Sequence, residues 1–231
     1  MTPSAAPDDS EWDRLVRFEG PSNFRDLGGY RAGPRRRVRR GLVYRADSLH
    51  LLTPADLATF ARLGVNQVVD LRSDQERGVN PNPIPTAVQL SITAERASEP
   101  GRPAWYEQAK DGEAILRDGY LSMIAQGAAT FGRFLRSLLT PDGVPVVFHC
   151  HAGKDRTGVL AAVLLRALGV DPETVADDYA LTGRYRNTDH ADESMQRMIE
   201  RGMPPEAALG LVGSPRWAMV DALDALEHDH G

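Results

Sequence analysis

A chain of 231 residues, 42% hydrophobic and 26% charged, can bury a core of its own, which sets aside disordered and fibrous classes and makes one domain the leading expectation. A net charge of −5 argues against a general nucleic-acid or anionic-membrane binder, though a local cationic site can sit inside an acidic whole. One cysteine allows no internal disulfide, and no apolar run reaches signal-peptide or membrane-span length, so a cytoplasmic protein is the default, with signal-less export left open.

Residues 1–20 open with Pro, Ser, Ala and Asp and are expected to form a loose terminal segment, with a single domain over 21–231. "SNFRDLGGY" (Ser22 to Tyr30) has the polar, glycine-bearing composition of a tight turn region, and "RAGPRRRVRRG" after it reads as a solvated hairpin edge. "LVYRA" (Leu42 to Ala46) is a short strand. Thr53, Pro54 and Asp56 start a helix whose apolar positions Leu57, Phe60, Ala61 and Leu63 run to Gly64. "NQVVDLR" (Asn66 to Arg72) is a buried strand delivering Asp70 and Arg72 at its C-terminal end, and "AVQLSI" (Ala87 to Ile92) is another.

From Thr93 the sequence turns polar and rich in Pro and Gly, a length that marks a candidate lid insertion over about 93–125 with Trp105 and Tyr106 in it. Helical patterns resume through "EAILRDGYLSMIAQ" and "ATFGRFLRSLL". "VPVVFHC" (Val144 to Cys150) is the clearest strand, nearly continuous in apolar residues as in a sheet covered on both faces. "TGVLAAVLLRALG" (Thr157 to Gly169) is a helix, and Asp171-Pro172 and Ser214-Pro215 start two more. Strands alternating with helices, then an all-helical tail, predict an α/β fold around a mainly parallel central sheet flanked by helices.

The lone thiol sits in "HCHAGKDRTG" (His149 to Gly158), between the best strand and a strong helix. At such a junction backbone N–H groups converge and the helix dipole favours negative charge. Cysteines placed beside a helix N-terminus and cations are activated nucleophiles. From Cys150 to Arg156 the loop is long enough to encircle a tetrahedral oxyanion, with amides of His151, Ala152, Gly153 and Lys154 below it and a guanidinium at its side. Gly153 permits close approach or a positive φ. Three adjacent residues "HCH" cannot supply a tetrahedral metal site, so neither a metal nor another cofactor is expected. "AGKDRTG" fails as a nucleotide-binding P-loop, because Asp155 stands where Ser or Thr should hold magnesium.

"HCHAGKDRTG", with "NFRDLGGY" and "DDYALTGRY", resembles the Cys-x5-Arg signature of the protein tyrosine phosphatase superfamily in its bacterial branch, over roughly residues 23–186. The resemblance implies the phosphatase α/β sandwich. It also implies a phosphomonoester hydrolase acting on phosphotyrosine, or also on phosphoserine, phosphothreonine or phosphoinositides, through a phosphocysteine on Cys150 with Arg156 gripping the phosphoryl oxygens. Its partner would be a phosphorylated protein or a phosphoinositide. Asp70 and Asp155 are the candidate acids, Asp70 favoured for its place at the sheet's C-terminal edge. Thr157 would hydrogen-bond the sulfur and His149 would order the loop. Lys154, one of two lysines in an arginine-rich chain, would add a cation for multiply phosphorylated ligands, and Arg45 with the Trp105/Tyr106 pair would frame the substrate. Two alternatives stay open: a rhodanese-like sulfurtransferase, whose loop is usually one residue shorter, and an idle phosphate-binding module.

Overall fold

The structure, a computed structural model, describes residues 13–84, 87–90, 112–186 and 188–230. Its centre is a five-stranded sheet formed by β1 (Arg25–Asp26), β2 (Val43–Ala46), β3 (Gln67–Asp70), β4 (Ala87–Gln89) and β5 (Val146–His149). The strand order is β1-β2-β5-β3-β4, parallel throughout except for the antiparallel edge strand β1. The mainly parallel sheet is therefore as the alternation of elements predicts.

Among the described residues the α-helices are α1 (Pro54–Arg62), α2 (Asp74–Val79), α3 (Gly112–Ser137), α4 (Asp155–Ala167), α5 (Pro172–Tyr185), α6 (Thr188–Glu200), α7 (Pro205–Val212) and α8 (Arg216–His230), with a 3-10 turn at Leu49–Leu51. Successive strand residues face opposite layers. Val146 and Phe148 of β5 enter the larger core with Leu116, Tyr120 and Phe134 of α3 and the apolar face of α4, whereas Val147 joins Phe24, Tyr44 and Phe60 on the side of α1. β5 is thus covered on both faces, which is why its sequence lacks polar alternation.

Local chemistry explains most boundaries. Thr53 and Asp56 form a reciprocal capping box at α1, with Pro54 opening the helix. Ser73 and Glu76 form a second box at α2, a helix that the sequence reading missed because six residues show no apolar period. Asp171 caps α5. The Arg-rich segment is a hairpin, with Ala32 N donating to Arg36 O and Val38 N to Tyr30 O.

Two expectations change. Residues 13–20, assigned to a loose terminus, run along β1: Val16 N donates to Phe24 O, Asp26 N to Arg14 O, and Leu15 bridges Arg25. The candidate lid over 93–125 is cut short, since 112–125 belong to α3, where Leu116 and Tyr120 are core residues. The rest of that segment, with Trp105 and Tyr106, lies outside the described residues.

Candidate active site

β5 is the middle strand and ends at His149, so Cys150 leaves the sheet at its centre and at the C-terminal edge, where parallel sheets present their ligand sites. The chain then turns through residues 150–154 into α4. Among the described residues none of the N–H groups of 151–156 donates to a main-chain carbonyl.

The carbonyls of the loop, by contrast, are held from outside. His149 Nδ1 lies 2.9 Å from Cys150 O and Ser48 Oγ donates to His151 O at 2.6 Å. Gly153 O accepts from Arg45 Nη2 at 2.9 Å and from Asn23 Nδ2 at 3.3 Å. With these carbonyls held from outside, the loop keeps amide donors that no main-chain carbonyl takes up, as an oxyanion site requires. Gly153 has φ +63°, and a Cβ there would lie 2.8 Å from Ala46 O and 2.9 Å from Asp47 N, so both conformation and space demand glycine.

The structure places Arg45, expected to frame the substrate, away from any open surface. It is completely buried beneath the loop, and besides Gly153 O it binds Asp178 Oδ2 at 2.7 Å. Asp178, on α5, also receives Arg25 Nε at 3.1 Å and Tyr30 Oη at 3.0 Å. Burial alone would raise the Asp178 carboxyl, but Arg25 and Arg45 outweigh it and hold it far below the carboxylate range. Arg45 itself is lowered to about 10, by burial and then by neighbouring Arg25. "NFRDLGGY" and "DDYALTGRY" thus meet under the loop through Arg25 and Asp178, a meeting that no spacing in the sequence announces.

Arg156 stands in the first turn of α4. Its Nη1 and Nη2 each lie 2.7 Å from an oxygen of Glu76, and Nη1 also reaches Leu71 O at 3.4 Å. This end-on grip leaves the edge formed by Nε–H and the second Nη2 hydrogen for a bidentate oxyanion. Glu76 was absent from the sequence reading. Its one signal is the Ser73-x-x-Glu76 capping pattern, which foretells a helix start but not the arginine. Burial opposes ionisation of Glu76, yet the hydrogen bond from Arg156 lowers its pKa to about 2.

Asp70 pairs in register with His149, next to Cys150. Its side chain is 1% exposed and is gripped by Arg72 Nε and Nη2 at 2.9 and 2.7 Å, with Asn82 Nδ2 at 3.2 Å. Asn82 Oδ1 accepts from Arg72 Nη2 and its amino group lies 2.9 Å from His149 Nε2, which also stands 3.5 Å from Asp70 Oδ2, while His149 Nδ1 faces Cys150 O at 2.9 Å. Burial would raise the Asp70 carboxyl; the His149 ring and the Arg72 fork hold it well below its usual range. Asp70, expected as the favoured acid, is thus an enclosed carboxylate fully engaged by Arg72 and Asn82 beside His149.

Asp155 is different. It opens α4 and its side chain is 35% exposed, with Oδ1 accepting from Tyr120 Oη at 2.7 Å and lying 3.2 Å from Lys154 Nζ. Lys154 in turn is buried. Its ammonium, which has three N–H donors, binds Leu211 O, Gly213 O and Asp155, so none is left for an added ligand phosphate. Desolvation lowers its pKa, partly offset by Asp155. The extra cation expected from the sequence is a pin between the loop and the C-terminal end of α7. Thr157 is fully buried and its Oγ1 has no hydrogen-bond partner among the described residues. His151 is exposed, its ring 5.7 Å from that of His50.

Among the described residues no helix is long and apolar enough to cross a membrane. The chain aligns at 31% identity over 219 residues, 89% of its length and 75% of the relative's, with a Cupriavidus necator protein whose name assigns it provisionally to the tyrosine-protein phosphatases. The triple specificity protein phosphatase PtpB of Mycobacterium tuberculosis is 29% identical over 209 residues, covering 78% of this chain and 72% of that one. Among solved structures, P. aeruginosa TpbA aligns at 18% identity over 77% of this chain and 90% of its own, with a TM-score of 0.35. Neither the sulfurtransferase nor the idle binding module finds support in these relatives. A loop whose amides have no main-chain acceptor beside one cysteine, with an arginine clamped to offer one free edge, accords with the sequence profile of the tyrosine phosphatase family, which matches residues 16–231: the chain belongs to that family.

Proposed function

We propose that the chain hydrolyses phosphotyrosine esters through a phosphocysteine on Cys150, with Asp155 as acid and then base. The observation that carries this reading is the orientation of Arg156 by Glu76, which leaves one bidentate edge free beside the loop amides. In the first step Cys150 Sγ attacks phosphorus in line, the S–P bond forms, the bond to the tyrosine oxygen breaks, and Asp155 passes its proton to that oxygen. In the second, Asp155 takes a proton from water as the water oxygen bonds phosphorus and the S–P bond breaks, releasing phosphate. Amides of His151, Ala152, Gly153 and Lys154 and the Arg156 edge hold the three equatorial oxygens through both steps. The Thr157 hydroxyl then supports the departing sulfur.

The choice of Asp155 over Asp70 rests on access and engagement: Asp70 is 1% exposed and fully bonded, whereas Asp155 Oδ2 has no partner among the described residues. The Asp155→Asn variant should lose about 10²–10⁴-fold in kcat with phenyl phosphate and far less with p-nitrophenyl phosphate, whose leaving group needs little protonation. A loss independent of the leaving group would defeat the assignment. Cys150→Ser should abolish turnover of phosphotyrosine, phosphoserine and phosphoinositide alike, and wild type should favour the first. A relative named for triple specificity supports testing all three, although Lys154 gives phosphoinositides no added cation here. A single, disulfide-free thiol as nucleophile suits a reducing, cytoplasmic setting with phosphorylated proteins as partners, which fractionation of the host cell would check.

A further inference from the structure

Two tyrosines that the mechanism leaves unused lie behind Asp155. Tyr120 of α3 is 1% exposed and Tyr179 of α5 is 1% exposed. Their hydroxyl oxygens are 2.5 Å apart, their rings meet edge to face with centroids 5.8 Å apart, and Tyr120 Oη is 2.7 Å from Asp155 Oδ1. A phenol has one proton to give. Whenever Asp155 is ionised it accepts only, so Tyr120 spends its proton on Asp155 and Tyr179 donates to Tyr120.

We infer that Tyr179 and Tyr120 form a buried positioning relay that immobilises Asp155 Oδ1 and thereby presents Oδ2 as the oxygen that exchanges the catalytic proton. Lys154 Nζ, 3.2 Å from Oδ1, fills a second lone pair of the same oxygen. With Oδ1 so occupied, the carboxyl rotates little about its Cβ–Cγ bond, and the proton resides on the oxygen that faces the substrate. Each donor polarises the next, so the pair acts more strongly than one phenol would. Burial, followed by the nearby Asp155 charge, pushes the Tyr120 phenol far above its ordinary value, so it stays a donor across the working pH range. Tyr179 follows Asp178 directly in α5, so one helical turn serves both the arginine lock beneath Gly153 and the carboxylate at the loop's far end.

This rests on Asp155 being the acid, and the experiment separates the two. Tyr120→Phe keeps the ring and its packing and removes only the hydroxyl. Its kcat for phenyl phosphate should fall about tenfold, part of what a whole acid contributes. KM and vanadate affinity should be unchanged, and the loss should be at most twofold with p-nitrophenyl phosphate. In an Asp155→Asn background the same change should cost nothing further. Tyr179→Phe, which leaves Tyr120 in place, should show a smaller loss of the same kind. If Asp155→Asn shows leaving-group dependence while Tyr120→Phe is silent, falls equally on both esters or adds fully to Asp155→Asn, the relay is overturned and the acid stands. If Asp155→Asn itself shows no such dependence, both fail.

Discussion

Single residues here are decided by what their atoms touch rather than by where they stand in the sequence. Glu76 shows this best: one carboxylate accepts from Ser73 N to start α2 and binds both terminal nitrogens of Arg156. Replacing it with Gln removes the charge but keeps the shape, and should cut kcat/KM about tenfold or more through a displaced guanidinium, with vanadate binding weakened in parallel. Gly153→Ala puts a methyl group against Ala46 O in a left-handed conformation, and should destabilise by about 1–3 kcal/mol with loss of vanadate binding, read by denaturant titration and by difference spectroscopy. Asp70→Asn leaves Arg72 with a weaker partner and should lower turnover equally for good and poor leaving groups, because it acts on the His149 support and not on a proton in flight. The sequence marked Cys150, Gly153 and Arg156 because a loop that wraps an anion needs those types at that spacing. It favoured Asp70 over Asp155 for its place at the sheet's edge, but the two differ in burial and bonding that only the fold shows, Asp70 being enclosed and Asp155 partly exposed.

At the scale of elements, the loop's shape is imposed from three directions. β2 supplies Arg45 and the segment leading into β1 supplies Asn23, both donating to Gly153 O, while Asp178 of α5 accepts from Arg45 and holds it in place. An aspartate 1% exposed between two buried arginines is costly to lose. Asp178→Asn should destabilise the protein by about 3–5 kcal/mol, measured by urea unfolding, because two guanidinium groups would remain in the interior with no counter-charge. The helices that were legible in advance are those with strong local signals: the Thr53 box, the Asp171-Pro172 start, the long apolar period of α4. α2 was missed for want of any apolar period. The two helical runs before β5 proved to be one helix, α3, whose Gly127 lets the chain continue where a Cβ would strike the Phe131 ring at 2.5 Å.

For the molecule as a whole, acid stability follows from its buried carboxylates. Asp70, Glu76 and Asp178 all have folded-state values below their ordinary ones, Glu76 at about 2. A depressed carboxyl contributes stability that is complete above its unfolded value near 4 and is lost as pH falls through the folded one. The thermal midpoint should therefore hold between pH 7 and 5 as far as these groups are concerned, and fall steeply between about pH 4 and 2, with the Glu76→Gln variant losing part of that slope. Calorimetry across that range would check the sign. By itself the sequence determined the α/β class, the central strand, the phosphatase family and the loop from Cys150 to Arg156 on which the proposed chemistry rests, because periodicity, caps and loop spacing are local and need only neighbouring residues to be read. That Asp70 is enclosed and Asp155 partly exposed, that Arg45 and Lys154 are buried beneath the loop, and that Glu76, Asp178, Tyr120 and Tyr179 reach the side chains of the loop and its supports emerge only in three dimensions. Those roles arise from contacts between residues tens to more than a hundred positions apart, where burial fixes the protonation and direction of every bond.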